Sequence, residues 1–195
     1  MRIGKNAENL IHRFEGVDVP SIWPGESSGI TIPYGYDLGY ENFEKDWKGL
    51  LDDDIFKRLS RAVGLRGQAA RKIAPSFKGI RIPLDKAAIV FETVVIPREE
   101  EKTIKIFPGS ETLHPDAFGA LVSLIYNRGP LVDKSSRRKE MLELYNLFRK
   151  GAPYDIKLIA DLVESQKRLW PDNKKSDGDL HDRRIAEASL IRSTI

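Results

Sequence analysis

Ser28-Gly-Ile-Thr-Ile-Pro-Tyr-Gly-Tyr-Asp-Leu-Gly-Tyr40 alternates apolar and polar residues for a few positions and then breaks on Gly35 and Gly39. A period of two interrupted by glycine predicts a short strand or hairpin and not a helix. Directly upstream the chain reads as a helix. Leu10, Ile11 and Phe14 share one face, Asn6 is placed to cap the start, and Gly16 suits the left-handed position just past the end. Glu15 therefore falls in the last turn, where carbonyl groups carry partial negative charge. A carboxylate there is poorly placed for stability and is expected to hold its proton more tightly, the property a general acid needs near neutral pH. An exposed Glu at a fraying helix end is the plainer reading of the same spacing.

The order of these pieces resembles a known family. Helix, Phe14-Glu15-Gly16, a loop containing Trp23, and then Gly29-Ile-Thr-Ile-Pro-Tyr-Gly-Tyr-Asp37 is similar to the catalytic segment of phage-type lysozymes, glycoside hydrolase family 24. The variant Thr-Ile-x-Tyr-Gly-Tyr-Asp-Leu-Gly resembles the pesticin-like branch, where the second carboxylate follows the Thr. Ala120-Leu-Val-Ser-Leu-Ile-Tyr-Asn-Arg-Gly129 resembles the family's core helix, and Leu180-His-Asp-Arg-Arg-Ile-Ala-Glu187 its closing helix. Three matches in the same order are more specific than any one of them. Pro33 stands where the family usually has glycine, and Tyr36 where many relatives have His. Proline removes a donor and fixes φ, so a stiffer hairpin, or one at a sheet edge, is expected.

The resemblance implies a lysozyme-like fold, a small β-hairpin lobe and a helical lobe with a central buried helix, in one domain spanning 1–195 with the small lobe over roughly 17–75. It implies a muramidase that cleaves the β-1,4 bond between N-acetylmuramic acid and N-acetylglucosamine. Hydrolysis of that bond needs an acid for the leaving oxygen and a second group to place a water or stabilise the cationic centre. Glu15 is the acid candidate. For the second role Asp37, six residues after Thr31, is favoured by the pesticin-like pattern, with Thr31 helping to hold the water. Glu26, slightly out of register with the wider family, and Asp18 in the same loop remain open. Arg183, with Arg184 next, is placed by the family's pattern beside the catalytic Glu; a solvated helix face is the plain alternative. Trp23, Tyr34 and Tyr36 are candidates for stacking on sugar rings, or for packing the hairpin.

Composition bounds these readings. The 195 residues suffice for one sizeable core, or for two lobes sharing a long helix, and 41% hydrophobic with 31% charged residues excludes disordered and collagen-like classes. Without cysteine there is no disulfide framework, thiolate metal site or cysteine nucleophile. His12, His114 and His181 have no partner at ligand spacing, so neither metal nor cofactor is expected. No Gly-x-Ser-x-Gly elbow, phosphate loop or dinucleotide fingerprint occurs. The net charge of +3 modestly favours an anionic polymer. The basic clusters at 137–139, 174–175 and 183–184 neighbour acids and lack interleaved aromatics, which argues against nucleic acid. The N-terminus lacks an apolar signal core and no stretch approaches a membrane span. A monomer made in the cytoplasm and carried to the wall by another route is expected, with glycan strands as substrate and an immunity or delivery protein as partner. Phage endolysin and secreted antimicrobial effector both fit. A non-catalytic glycan- or partner-binding module and a lytic transglycosylase are the alternatives.

Along the chain, helices are predicted over 52–64, 67–74, 85–95, 117–126, 137–150, from Pro153 towards Trp170, and over 181–192, with one or two helical turns over 42–49 and a strand over Thr103–Phe107. The 117–126 helix is apolar on nearly every side and belongs at the centre. Trp170 is assigned to the core, and 171–179 to a polar loop. The fold class is mainly α with a small β excursion.

Overall fold

The computed structural model describes residues 2–15, 22–170 and 178–195, with 178 and 179 described in backbone only. Gly16, Asp18 and most of the predicted polar loop after Trp170 lie outside the described residues. The chain is mainly helical, with one small antiparallel sheet. In order, α1 spans Lys5–Glu15, β1 Thr31–Ile32, β2 Tyr36–Asp37, α2 Phe43–Asp46, α3 Asp53–Ser60, α4 Gly67–Ile73 and α5 Leu84–Val90. A π turn over Phe91–Val95 follows. Then come α6 Ile96–Ile106, α7 Pro115–Arg128, α8 Lys139–Lys150, α9 Ile156–Ser165 and α10 Gly178–Arg192. These elements form two compact units, one of residues 1–14 with 96–195 and one of residues 15–95.

In the larger unit every residue from Asp116 to Ile125 is buried, which makes α7 the axis of that unit. α10 packs on α9 and α7, α6 packs on α7, and α8 packs on α9. Leu121, Leu124, Met141, Leu144, Phe148 and Ile159 are among the side chains that meet in its core. Pro115 sets the first turn of α7, the His114 ring accepts the Asp116 N–H at 3.2 Å, and Gly129, at φ 73°, takes the chain out of the helix.

α1 is docked on α7 through contacts that its own sequence does not announce. Asn6, expected to cap α1, instead lies inside the first turn and its amide donates to Asp116 Oδ2 at 2.9 Å. The cap comes from α7: Asp116 Oδ1 accepts the Ala7 N–H at 3.2 Å, one of the first-turn donors with no partner inside the helix. Gly119 permits this approach, because a Cβ there would stand 2.2 Å from the Ala7 Cβ. The Ile3 N–H is received by the buried Glu100 at 2.9 Å.

The strand expected at Thr103–Phe107 is helical over 103–106, and Phe107 lies just past the helix end. Thr103, Ile104 and Ile106 belong to α6, which continues directly from the π turn, and Lys102 pairs there with Glu99 one turn back at 2.7 Å. Burial of Ile96 and Thr103 overrides their preference for strand. Trp170 is likewise not in the core. It is half-buried after a 3₁₀ turn over Gln166–Leu169, and Arg128 stands over its ring at 5.0 Å.

The smaller unit is built on the hairpin. Thr31 pairs with Asp37 and Ile32 with Tyr36, and Ile22 adds a bridge to the outer side of Thr31 with hydrogen bonds of 3.0 and 2.6 Å. Pro33, Tyr34 and Gly35 make the turn, so the proline's missing donor falls outside the ladder. Tyr34 itself is at φ 61°, a left-handed conformation unusual for a bulky residue. It is held there by burial and by its ring stacking on Phe91 at 4.7 Å. Beneath the hairpin Tyr36, Trp47, Phe43 and Phe56 form a run of ring contacts at 5.0–6.1 Å.

Candidate functional site

Glu15 is the last residue of α1 and is partly exposed. Thr31 and Asp37 are directly opposed across the hairpin, so the residues singled out from sequence as water-holding partners are brought side by side. Directly opposed residues have Cβ atoms roughly 5 Å apart on the same face of the sheet.

The Asp37 carboxylate is tied to the backbone. Oδ1 accepts the N–H of Gly39 at 2.7 Å and of Gly29 at 3.1 Å, and Oδ2 shares the Gly29 N–H at 3.0 Å. Charge-assisted bonds of this kind are short and strong. Both glycines are required by space. A Cβ on Gly29 would lie 2.3 Å from Asp37 Oδ1 and 2.5 Å from the Gly39 nitrogen, and one on Gly39 would strike the Arg66 side chain and the Leu65 carbonyl at 2.6 and 2.8 Å. Gly39 reads from sequence as a strand breaker; its role in admitting Asp37 to two backbone donors does not show there. Each carboxylate oxygen accepts about two hydrogen bonds. Oδ2, holding only the shared one, therefore keeps acceptor capacity for a further donor.

Glu26 has a different setting. It stands at φ 46° in an exposed turn, and its carboxylate has no hydrogen-bond or ionic partner among the described residues. Nothing ties it to Thr31.

The three candidate sugar-stacking aromatics separate. Tyr34 and Tyr36 are 6% and 3% exposed, and their rings are taken up by Phe91 and Trp47. The Tyr36 hydroxyl donates to Asp46 at 2.8 Å. They pack the hairpin and offer no ring face to a sugar, the plainer of the two sequence readings. Burial, with the Glu92 charge second, pushes the Tyr34 hydroxyl pKa up. Trp23 is the open one. Its indole N–H donates to the Ser28 carbonyl at 3.0 Å, Arg71 lies 5.7 Å from the ring centre, and with Ile22, Ala74, Pro75 and Lys78 it lines a cavity of about 300 Å³. Tyr40, 58% exposed and 4.7 Å from the Arg66 guanidinium, is an exposed aromatic of the same unit that the sequence reading passed over.

No protein-family model and no curated protein matches the chain.

Arg183 and Arg184 do not form a solvated face. Both are buried, at 2% and 0% exposure, with the buried Glu187. Arg183 Nε donates to Ser123 Oγ and to Glu187 Oε1, both at 3.2 Å, and its Nη2 to the Ser123 carbonyl at 3.1 Å. Arg184 Nη2 donates to the same Glu187 oxygen at 2.8 Å. The Arg183 guanidinium also lies 5.7 Å from the ring centre of Phe14, the residue before Glu15. A run of charge that reads as surface is thus a buried polar network, because α10 turns that face onto α7.

Proposed function

We propose that this chain is a glycoside hydrolase of the phage-lysozyme kind, pesticin-like in the order of its groups, and that it cleaves the β-1,4 bond between N-acetylmuramic acid and N-acetylglucosamine. The observation that supports it most is the pairing of Thr31 with Asp37, with Asp37 held by Gly29 and Gly39 and its Oδ2 open to one more donor. In this reading Glu15 protonates the leaving oxygen. Water bound to Asp37 Oδ2 and the Thr31 hydroxyl attacks the anomeric carbon from the opposite face and passes its proton to Asp37, giving inversion. A carboxylate already fixed by backbone donors loses no side-chain freedom in placing that water, which is where positioning lowers the barrier. Trp23 is the aromatic that contacts sugar. Arg183, packed on Phe14, sets the end of the helix that carries Glu15.

The test is mass spectrometry of soluble products from purified peptidoglycan, with the wild-type chain beside Glu15→Gln. Reducing muropeptides from the wild type, falling by about 10²-fold or more in Glu15→Gln, support the proposal. Anhydro-sugar products would move the assignment to a lytic transglycosylase. No product from a folded wild-type chain would leave a binding module.

A further inference from the structure

α7 ends at Arg128, and the segment after it returns two more guanidiniums to the same place. Arg128 Nη2 donates to the Arg137 carbonyl at 2.7 Å, and Arg138 Nη2 donates to the Arg128 carbonyl at 2.8 Å. Both bonds end on backbone oxygens, so neither neutralises a charge. With Asn127, Trp170 and Leu180 the three arginines line a pocket of about 190 Å³. The Trp170 ring supplies Arg128 with a cation–π contact, which stabilises the cation and leaves its charge in place.

The neighbouring carboxylates hydrogen-bond elsewhere and reach the cluster only through space, Glu140 acting weakly on Arg128 and Asp133 on Arg138. Glu140 is gripped by Arg168 through Nε at 2.6 Å and Nη2 at 3.0 Å. Asp133 accepts the Ser135 N–H at 2.8 Å. Among the described residues no carboxylate pairs with Arg128, Arg137 or Arg138. Two donors are left over: Arg128 Nε and Arg138 Nη1 are buried without a hydrogen-bond partner. Burial, followed by the charges of Arg138, Arg184 and Arg137, pulls Arg128 down to about 10. It remains cationic at neutral pH, inside a field of like charge.

Buried charged donors without acceptors are costly, and several guanidiniums around one small space are costlier still. An anion removes both costs. We propose that this pocket binds a phosphate group, free or as a monoester. A tetrahedral dianion presents acceptor oxygens in several directions, which suits guanidiniums converging from Arg128, Arg137 and Arg138, and its charge approaches that of the cluster. A carboxylate brings one charge in one plane. A nucleic-acid track needs an extended basic groove with free aromatic faces; here the charge closes on one pocket whose tryptophan already faces Arg128.

The experiment is calorimetric titration of the full chain at low ionic strength with inorganic phosphate and glycerol 3-phosphate, beside acetate and a short single-stranded DNA. Saturable one-to-one binding of the first two, at least tenfold tighter than acetate, is expected. Arg137→Gln, at an exposed position, is expected to weaken phosphate binding about tenfold, as loss of one charged hydrogen bond does, with the melting temperature in chloride unchanged. Arg138→Gln is expected to weaken it as much or more. Equal binding of acetate, phosphate binding untouched by both substitutions, or binding of DNA alone would overturn the proposal. The readout is independent of glycan cleavage, so it stands or falls apart from the hydrolase reading.

Discussion

Thr31 and Asp37 are opposed residues of a two-residue antiparallel ladder, and Asp37 is bolted to the backbone on both sides of it, at Gly29 and at Gly39. One carboxylate thus closes the hairpin base and, in the proposed hydrolase, also holds the attacking water.

Asp37→Asn should therefore fail twice. An amide offers one acceptor oxygen and turns an N–H₂ towards backbone donors, so stability should fall by about 1–3 kcal/mol. Muropeptide release should be lost as well. Thermal melting read beside product release separates the two effects. Gly29→Ala, which leaves the carboxylate in place but fills its approach, should lower the melting temperature in the same direction. A melting temperature unchanged in both variants would show that the backbone bonds to Asp37 contribute nothing.

Glu187 is the anion between two buried guanidiniums. Glu187→Gln leaves Arg183 and Arg184 buried without it, and a loss of about 3–5 kcal/mol in denaturant unfolding is expected. Ser123→Ala removes the hydroxyl that donates to Glu187 at 2.6 Å and should cost less, about 1–2 kcal/mol. The order of the two midpoints checks the account.

Close approach of α1 to α7 depends on Gly119. Gly119→Ala places a methyl group against Ala7 and Ile3, and α1 must move for it to fit. Overpacking of this kind costs about 1–3 kcal/mol. Faster amide exchange in α1, with α8 and α9 unaffected, is the expected signature.

Acid should loosen the contact between α9 and α10. Glu164 is bonded by Lys167 at 2.6 Å and by Arg192 at 2.6 Å, and those hydrogen bonds, Lys167 first, hold its carboxyl below the usual carboxylate range. With the folded value depressed, the stabilisation is fully present above the ordinary value of 4.5 and is lost as pH falls below it. Solvent screening keeps it to about 0.5–1 kcal/mol. Glu164→Gln should flatten the acid side of the stability profile by that amount while leaving the neutral side lower than wild type.

The helices with strong local signals were legible in the chain itself. Pro115 at the start, Gly129 at the end and apolar residues on every side mark α7 as a buried central helix, and it is one. The hairpin was legible from its period of two and its glycines. Legibility stopped where a partner lies far along the chain. Asn6 looked like the cap of α1, but Asp116 performs that task; Thr103–Phe107 looked like a strand, but burial in α6 outweighs β-branching. Tyr34 and Tyr36 looked equally suited to sugar and to core until their rings were seen against Phe91 and Trp47.

The amino-acid sequence alone determined the elements whose free energy is set within a turn or two: α7, α10, the hairpin, and the end of α1 at Glu15. Only the tertiary structure decided that Asp37 is locked by Gly29 and Gly39, that Arg183 and Arg184 are buried on Ser123 and Glu187, and that Arg128, Arg137 and Arg138 line one pocket with no carboxylate paired to them among the described residues. Propensity and capping act between near neighbours. Desolvation of a charge, and its relief by a partner, depend on which distant segments the fold brings around it.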